Sequence, residues 1–77
     1  MNNHSYLPSL QATTKFHFYL AKMYAKSGAT DRALLYMRKA LEEGFKERKK
    51  FRDDPEFAAL KDNPEYRQLL AMEPRVL

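Results

Sequence analysis

Three residues, 28–30, separate two stretches of helical apolar spacing, and that interval restricts the fold of this chain more than any other feature. Before it, Leu10, His17, Leu20, Ala21 and Tyr24 recur on one stripe of a helix, extended by Thr13. After it, Ala33, Met37, Ala40 and Leu41 form a second stripe, with Tyr36 at its edge. A link so short obliges consecutive helices to lie side by side and antiparallel. Ala21, Ala33 and Ala40 on the facing stripes let the two axes approach closely.

The punctuation agrees. The first helix is predicted over Leu10–Ser27, with Ser9 after Pro8 as its N-cap, or with Thr13 or Thr14 opening it instead. Gly28 follows, a residue free to take the left-handed conformation that ends helices. Thr30 or Asp31 is expected to cap a second helix running to about Glu43, where Gly44 ends it and Phe45 folds back on Ala40 or Leu41. Residues 46–52 form one or two charged turns. Two similar phrases follow, D-P-E-F at 54–57 and N-P-E-Y at 63–66. In each, Asp54 or Asn63 suits an N-cap, and Pro55 or Pro64 suits the first helical position. Glu56 or Glu65 then complements the helix dipole. Phe57 and Leu60 share a face of the first short helix, and Tyr66, Leu69 and Leu70 share a face of the second. No run rich in Val, Ile and Thr alternates as a strand does, and Val76 is the sole valine. The expectation is an all-α domain: a hairpin at 9–44, a closing segment at 45–72, and flexible ends at 1–8 and 73–77.

At 77 residues a single core is marginal, and without cysteine no disulfide or thiolate metal site supports it. Packing and association remain. The polar start of the chain carries no basic region or long apolar run, so no secretory signal is expected. His17 and Lys22 interrupt the richest apolar stretch, so no membrane span is expected either. A cytoplasmic location is the corresponding expectation.

The segment L-A-K-M-Y-A-K-S-G-A-T-D-R-A-L-L-Y-M-R-K-A-L at 20–41 resembles one tetratricopeptide repeat. Leu20, Ala21 and Tyr24 match the first part of the family pattern, with Ala for Gly. Ala33, Met37 and Ala40 match the second, with Met for Phe. His17 stands in place of the opening Trp and Phe45 in place of the closing Pro. The likeness covers about residues 14–47, and a shift of about 34 residues brings up no second copy. The tail is similar to the short helical ending seen after the last repeat in such proteins. The resemblance implies a hairpin of the α-α superhelix type and a non-catalytic protein–protein interaction module. It also implies that Lys15, Phe18, Tyr19, Lys22 and Lys26 line the groove that holds a peptide. Ammonium groups beside aromatic rings suit an acidic or C-terminal carboxylate peptide.

Between that face and the hairpin seam lies a flank of Phe16, Tyr19 and Met23, and Leu35 also points away from the second helix's stripe. The tail, a second copy of the chain, or neighbouring repeats in a longer protein would each cover these residues. A purely structural role as the end-cap of a longer helical array is therefore an alternative. Nucleic-acid binding through Lys46, Arg48, Lys49, Lys50 and Arg52, with Phe51 free to stack, is another. Against it, residues 53–65 carry five acids and one lysine, which offset the basic block before them.

No catalytic constellation is recognisable. Asp53, Asp54, Glu56, Asp62 and Glu65 lack the alternation and central glycine of a calcium loop. They sit where capping chemistry wants them. His4 is in a polar terminus, and His17 has no second histidine at helical spacing to complete a zinc pair. The serines have no base or elbow motif, and the two glycines are isolated helix stops. No cofactor and no metal are expected.

Overall fold

The computed structural model describes residues 10–72, and all of the regular structure among them is helical. Helix α1 spans Leu10–Ser27 and α2 spans Thr30–Glu42. A short α3 covers Lys49–Asp53, a 3-10 segment covers Pro55–Leu60, and α4 covers Pro64–Ala71. The expected Ser9 cap and the two chain ends, with His4 and Val76, lie outside the described residues, as does the side chain of Leu10.

Both long helices end in the same way. Gly28 has φ 86° and Gly44 has φ 90°. In α1 the Gly28 N–H donates to the Ala25 carbonyl at 3.2 Å and the Ala29 N–H to the Tyr24 carbonyl at 2.9 Å. In α2 the Gly44 N–H donates to Leu41 at 3.1 Å and the Phe45 N–H to Ala40 at 3.0 Å. This paired bonding satisfies carbonyls that a helix end otherwise leaves open, and it turns the chain. Phe45 then enters the core beside Ala40 and Leu41, as its spacing predicts.

The start of α2 corrects an expectation. Neither Thr30 nor Asp31 caps it. Ala29 occupies the cap position, its carbonyl accepts from the Ala33 N–H at 2.9 Å, and no side chain takes part. The turn after Gly28 is so tight that Thr30 is already helical, and Asp31 acts from inside the first turn, where its charge suits the dipole. Asp54 differs too. Its side chain makes no capping bond, and the helix it precedes is 3-10 rather than α. Asn63 behaves as expected and accepts from the Glu65 and Tyr66 N–H groups at 2.8 and 3.2 Å.

Helices α1 and α2 run antiparallel. His17 meets Glu43 while Tyr24, further along α1, stacks on Tyr36, earlier in α2. Alanines form the seam, with Ala21, Ala25, Ala33 and Ala40 all buried. The 3-10 segment packs against α1, and α4 packs against α2, where Arg38 pairs with Glu65.

The large side chains gather where the closing segment meets the hairpin. Phe18 stacks on Phe45 with ring centres 4.8 Å apart, and Phe51 stands edge-on to Phe18, Phe45 and Phe57 at 5.1, 5.3 and 5.2 Å. Such geometry aligns the positive ring edge with the negative ring face. Phe57, Leu60, Tyr66 and Leu69 are buried and Leu70 is partly so. The buried arc of α1 is consequently displaced from the stripe read from spacing. Thr14, Phe18 and Ala25 turn inward, while Leu20 is only half-buried, because α1 packs against two partners rather than one.

The Tyr66 hydroxyl donates to the Phe51 carbonyl at 2.6 Å. Burial pushes this phenol above its ordinary value of about 10; Arg52 opposes the shift and Asp53 reinforces it. The neutral, bonded form therefore contributes stability that is complete below about pH 10 and is lost as pH rises through the raised folded value. Tyr66→Phe should cost about 1 kcal/mol at neutral pH and flatten the decline above about pH 10. Urea melts of both proteins between about pH 7 and 11 measure this. An alkaline decline of the same slope in the variant would show that Tyr66 is not its source.

Candidate binding face on the first helix

Helix α1 contains three lysines, Lys15, Lys22 and Lys26, and no acidic residue. At about 100° per residue its buried arc centres on Ala21, Thr14 and Ala25. The opposite arc carries Phe16, Tyr19 and Met23, which are 57%, 57% and 50% exposed. Lys15 and Lys26 stand on one border of that arc, both exposed. Lys26 also lies in the last turn of α1, where a cation complements the dipole.

The five residues expected on the groove divide. Lys15, Tyr19 and Lys26 share the open side of α1. Phe18 does not join them. Its ring is held among Phe45, Phe51 and Phe57, so it belongs to the core. The closing segment covers the Phe18 border of the side that the resemblance reserves for a peptide. Lys22 sits at the seam between the two. Its ammonium is 3.6 Å from the Asp54 carboxylate and 5.9 Å from the centre of the Phe18 ring. Asp54, released from capping, thus ties the closing segment to α1.

Phe16 and Met23, assigned to a flank by spacing, replace Phe18 as the apolar members of the open face. The signal for this lay in the lysine-free spacing 16, 19, 23. The neighbouring aromatics at 16, 18, 19 and 24 obscured it, because rings surround α1 on nearly every side.

On the edge shared with α2, His17 Nδ1 lies 2.8 Å from a Glu43 carboxylate oxygen and the ring packs on Tyr36 at 5.7 Å. Tyr24 and Tyr36 stack at 5.6 Å, and the Arg32 guanidinium covers Tyr24 at 5.8 Å. A depression of about 440 Å³ at the foot of α1 is lined by Thr14, Lys15, Glu43, Gly44, Phe45, Lys46 and Glu47. Its two cations and two anions leave it without a net sign.

The basic block at 46–52 is largely engaged. Arg48 donates to the Leu70 carbonyl at 2.9 Å and to the Met72 carbonyl, capping the end of α4. Lys50 pairs with Glu47 at 3.4 Å and Arg52 with Asp53 at 3.6 Å. Lys46 and Lys49 have no ion pair among the described residues. Phe51 is 0% exposed, so it offers no surface for stacking on a base, contrary to the expectation for this segment. Five residues of helix suffice to turn its ring inward while the four charged neighbours stay in water.

Among the described residues, no group of three His, Asp or Glu side chains could hold a metal ion, and no helix is long and apolar enough to cross a membrane. Compared with known proteins, the chain matches no family model, no curated protein and no solved structure.

Proposed function

We propose that this chain is a non-catalytic protein–protein interaction module, a tetratricopeptide-like hairpin sealed by its own C-terminal segment, which binds an acidic partner on the open face of α1. One observation carries this reading. The uncovered face of α1 combines exposed rings and a thioether with lysines and lacks any carboxylate, whereas the exposed side of α2 has a single large apolar residue, Leu35, among Arg32, Arg38 and Lys39 and the acids Asp31 and Glu42. Apolar side chains concentrated on one face mark contact surfaces, and fixed cations select the charge of what docks there.

The end-cap alternative draws on the same open side, since a preceding hairpin would need apolar contacts there. The charge distribution favours a separate acidic partner. Nucleic-acid binding is the weaker alternative, because Arg48, Lys50 and Arg52 already have partners and Phe51 is buried.

The test is titration of the protein with a fluorescent peptide rich in Glu and Leu. Lys15→Glu/Lys26→Glu should weaken binding by about tenfold or more, near 1.4 kcal/mol, and the wild-type affinity should fall with salt. Lys22 is better replaced by Gln than by Glu, because a carboxylate there would face Asp54. Unchanged affinity in the double variant, with helicity intact by circular dichroism, would refute the assignment.

A further inference from the structure

We infer that the occupant of this face is an acidic amphipathic helix that lies along α1 and pairs with it as in a short coiled coil. The inference rests on the acidic-partner reading above and adds the partner's conformation. Phe16, Tyr19 and Met23 follow the spacing i, i+3, i+7, which is the a-d-a seam of a heptad. An extended strand would meet side chains at a different repeat, whereas a second helix interdigitates with this one. With Phe16 at an a position, Lys15 and Lys22 both fall at g, the position that selects partners by charge. The e positions are Thr13 and Leu20, both half-buried, and Ser27. The matching helix therefore carries apolar residues on its seam and Asp or Glu beside it, facing the lysines.

A second copy of α1 is a poor occupant. Antiparallel pairing would set Lys15 and Lys22 against the same lysines, and parallel pairing would set them against Leu20 and Ser27. No carboxylate is available on α1 in either arrangement. Lys22 is already near Asp54, so Lys15 carries more of the flanking selection, while Lys26 falls at the next d position and ends the apolar seam with a cation. Phe16 to Met23 spans about 10 Å along the axis, two turns. A partner segment so short is marginal as a free helix and becomes ordered on docking, which places the contact in the weak, transient class.

The experiment uses the whole chain and three probes. The first is a peptide of three heptads with Leu at a and d and Glu at e and g. The second keeps those leucines and glutamates and carries proline at the c position of each heptad. The third is vesicles of phosphatidylserine and phosphatidylcholine. The helical peptide should bind at least about tenfold more tightly than the proline-broken one. That binding should weaken by about tenfold in both Phe16→Ser/Met23→Ser and Lys15→Glu/Lys26→Glu, variants whose melting transitions circular dichroism should show intact. Equal binding of the two peptides would overturn the helical occupant and leave the acidic-partner reading standing. Binding of neither peptide would overturn both. Vesicle binding that is lost in Phe16→Ser/Met23→Ser, without peptide binding, would replace the protein partner with an anionic membrane. A concentration-dependent dimer abolished by the same variant would replace it with a second copy of the chain.

Discussion

Removal of residues 53–77 is expected to abolish the cooperative thermal transition and leave an unfolded or aggregating chain. The reason lies in what holds the hairpin. The α1–α2 seam is built from Ala21, Ala25, Ala33 and Ala40, which bring the helices close but bury little area each. A methyl group contributes roughly 0.8 kcal/mol, whereas a fully buried large side chain contributes about 1.5–3 kcal/mol. Leu34, Met37 and Leu41 of α2 add to that seam, but the ring cluster depends on the deleted residues: Phe57, Leu60, Tyr66 and Leu69 lie among them, and Phe18 and Phe51 pack on Phe57 while Phe45 packs on Phe51. Deletion removes the first group and uncovers the second. Domains of this size hold only about 3–5 kcal/mol in a single core, so the loss exceeds the reserve. Differential scanning calorimetry of the 1–52 fragment measures it. A sharp two-state melt in that fragment would show that the hairpin stands alone.

Phe51→Ala should be the most damaging single substitution, with a loss of about 3–5 kcal/mol that consumes most or all of the stability. Phe51 is enclosed by three other rings, and its own carbonyl receives the Tyr66 hydroxyl. Truncation leaves a void where α3, the 3-10 segment and α1 converge, and a short helix with four charged residues has no other apolar anchor. Phe16→Ala is the matched control, since the exposed ring should change stability by no more than about 0.5 kcal/mol. Urea denaturation followed by circular dichroism compares the two. Equal midpoints for the two variants would contradict the described core.

The contrast between these phenylalanines also shows where a sequence is readable. The glycine ends of both long helices and the Asn63-Pro64 start of α4 follow from local chemistry, and the structure has them where that chemistry places them. The burial of Phe57, Leu60, Tyr66 and Leu69 follows from spacing within two short helices. Phe51 was opaque because five residues give no periodicity and its neighbours are charged. Phe18 was misplaced for a different reason. Rings lie on nearly every side of α1, so its moment points weakly, and only the docking of the closing segment decides which of them turn in. Asp54 carries the same lesson on a smaller scale. Its local sequence suits a cap, and a long-range pairing with Lys22 takes its carboxylate elsewhere.

The two glycines that end α1 and α2 stand in open surroundings: an added Cβ at either would meet no atom within 4 Å. Bulk is therefore no obstacle at the chain reversals. What excludes other residues is the torsion angle, at φ 86° and 90°, which ordinary side chains resist because of their chirality. The hairpin's corners thus discriminate by handedness and ignore size, whereas its interior, lined with alanine, discriminates by size.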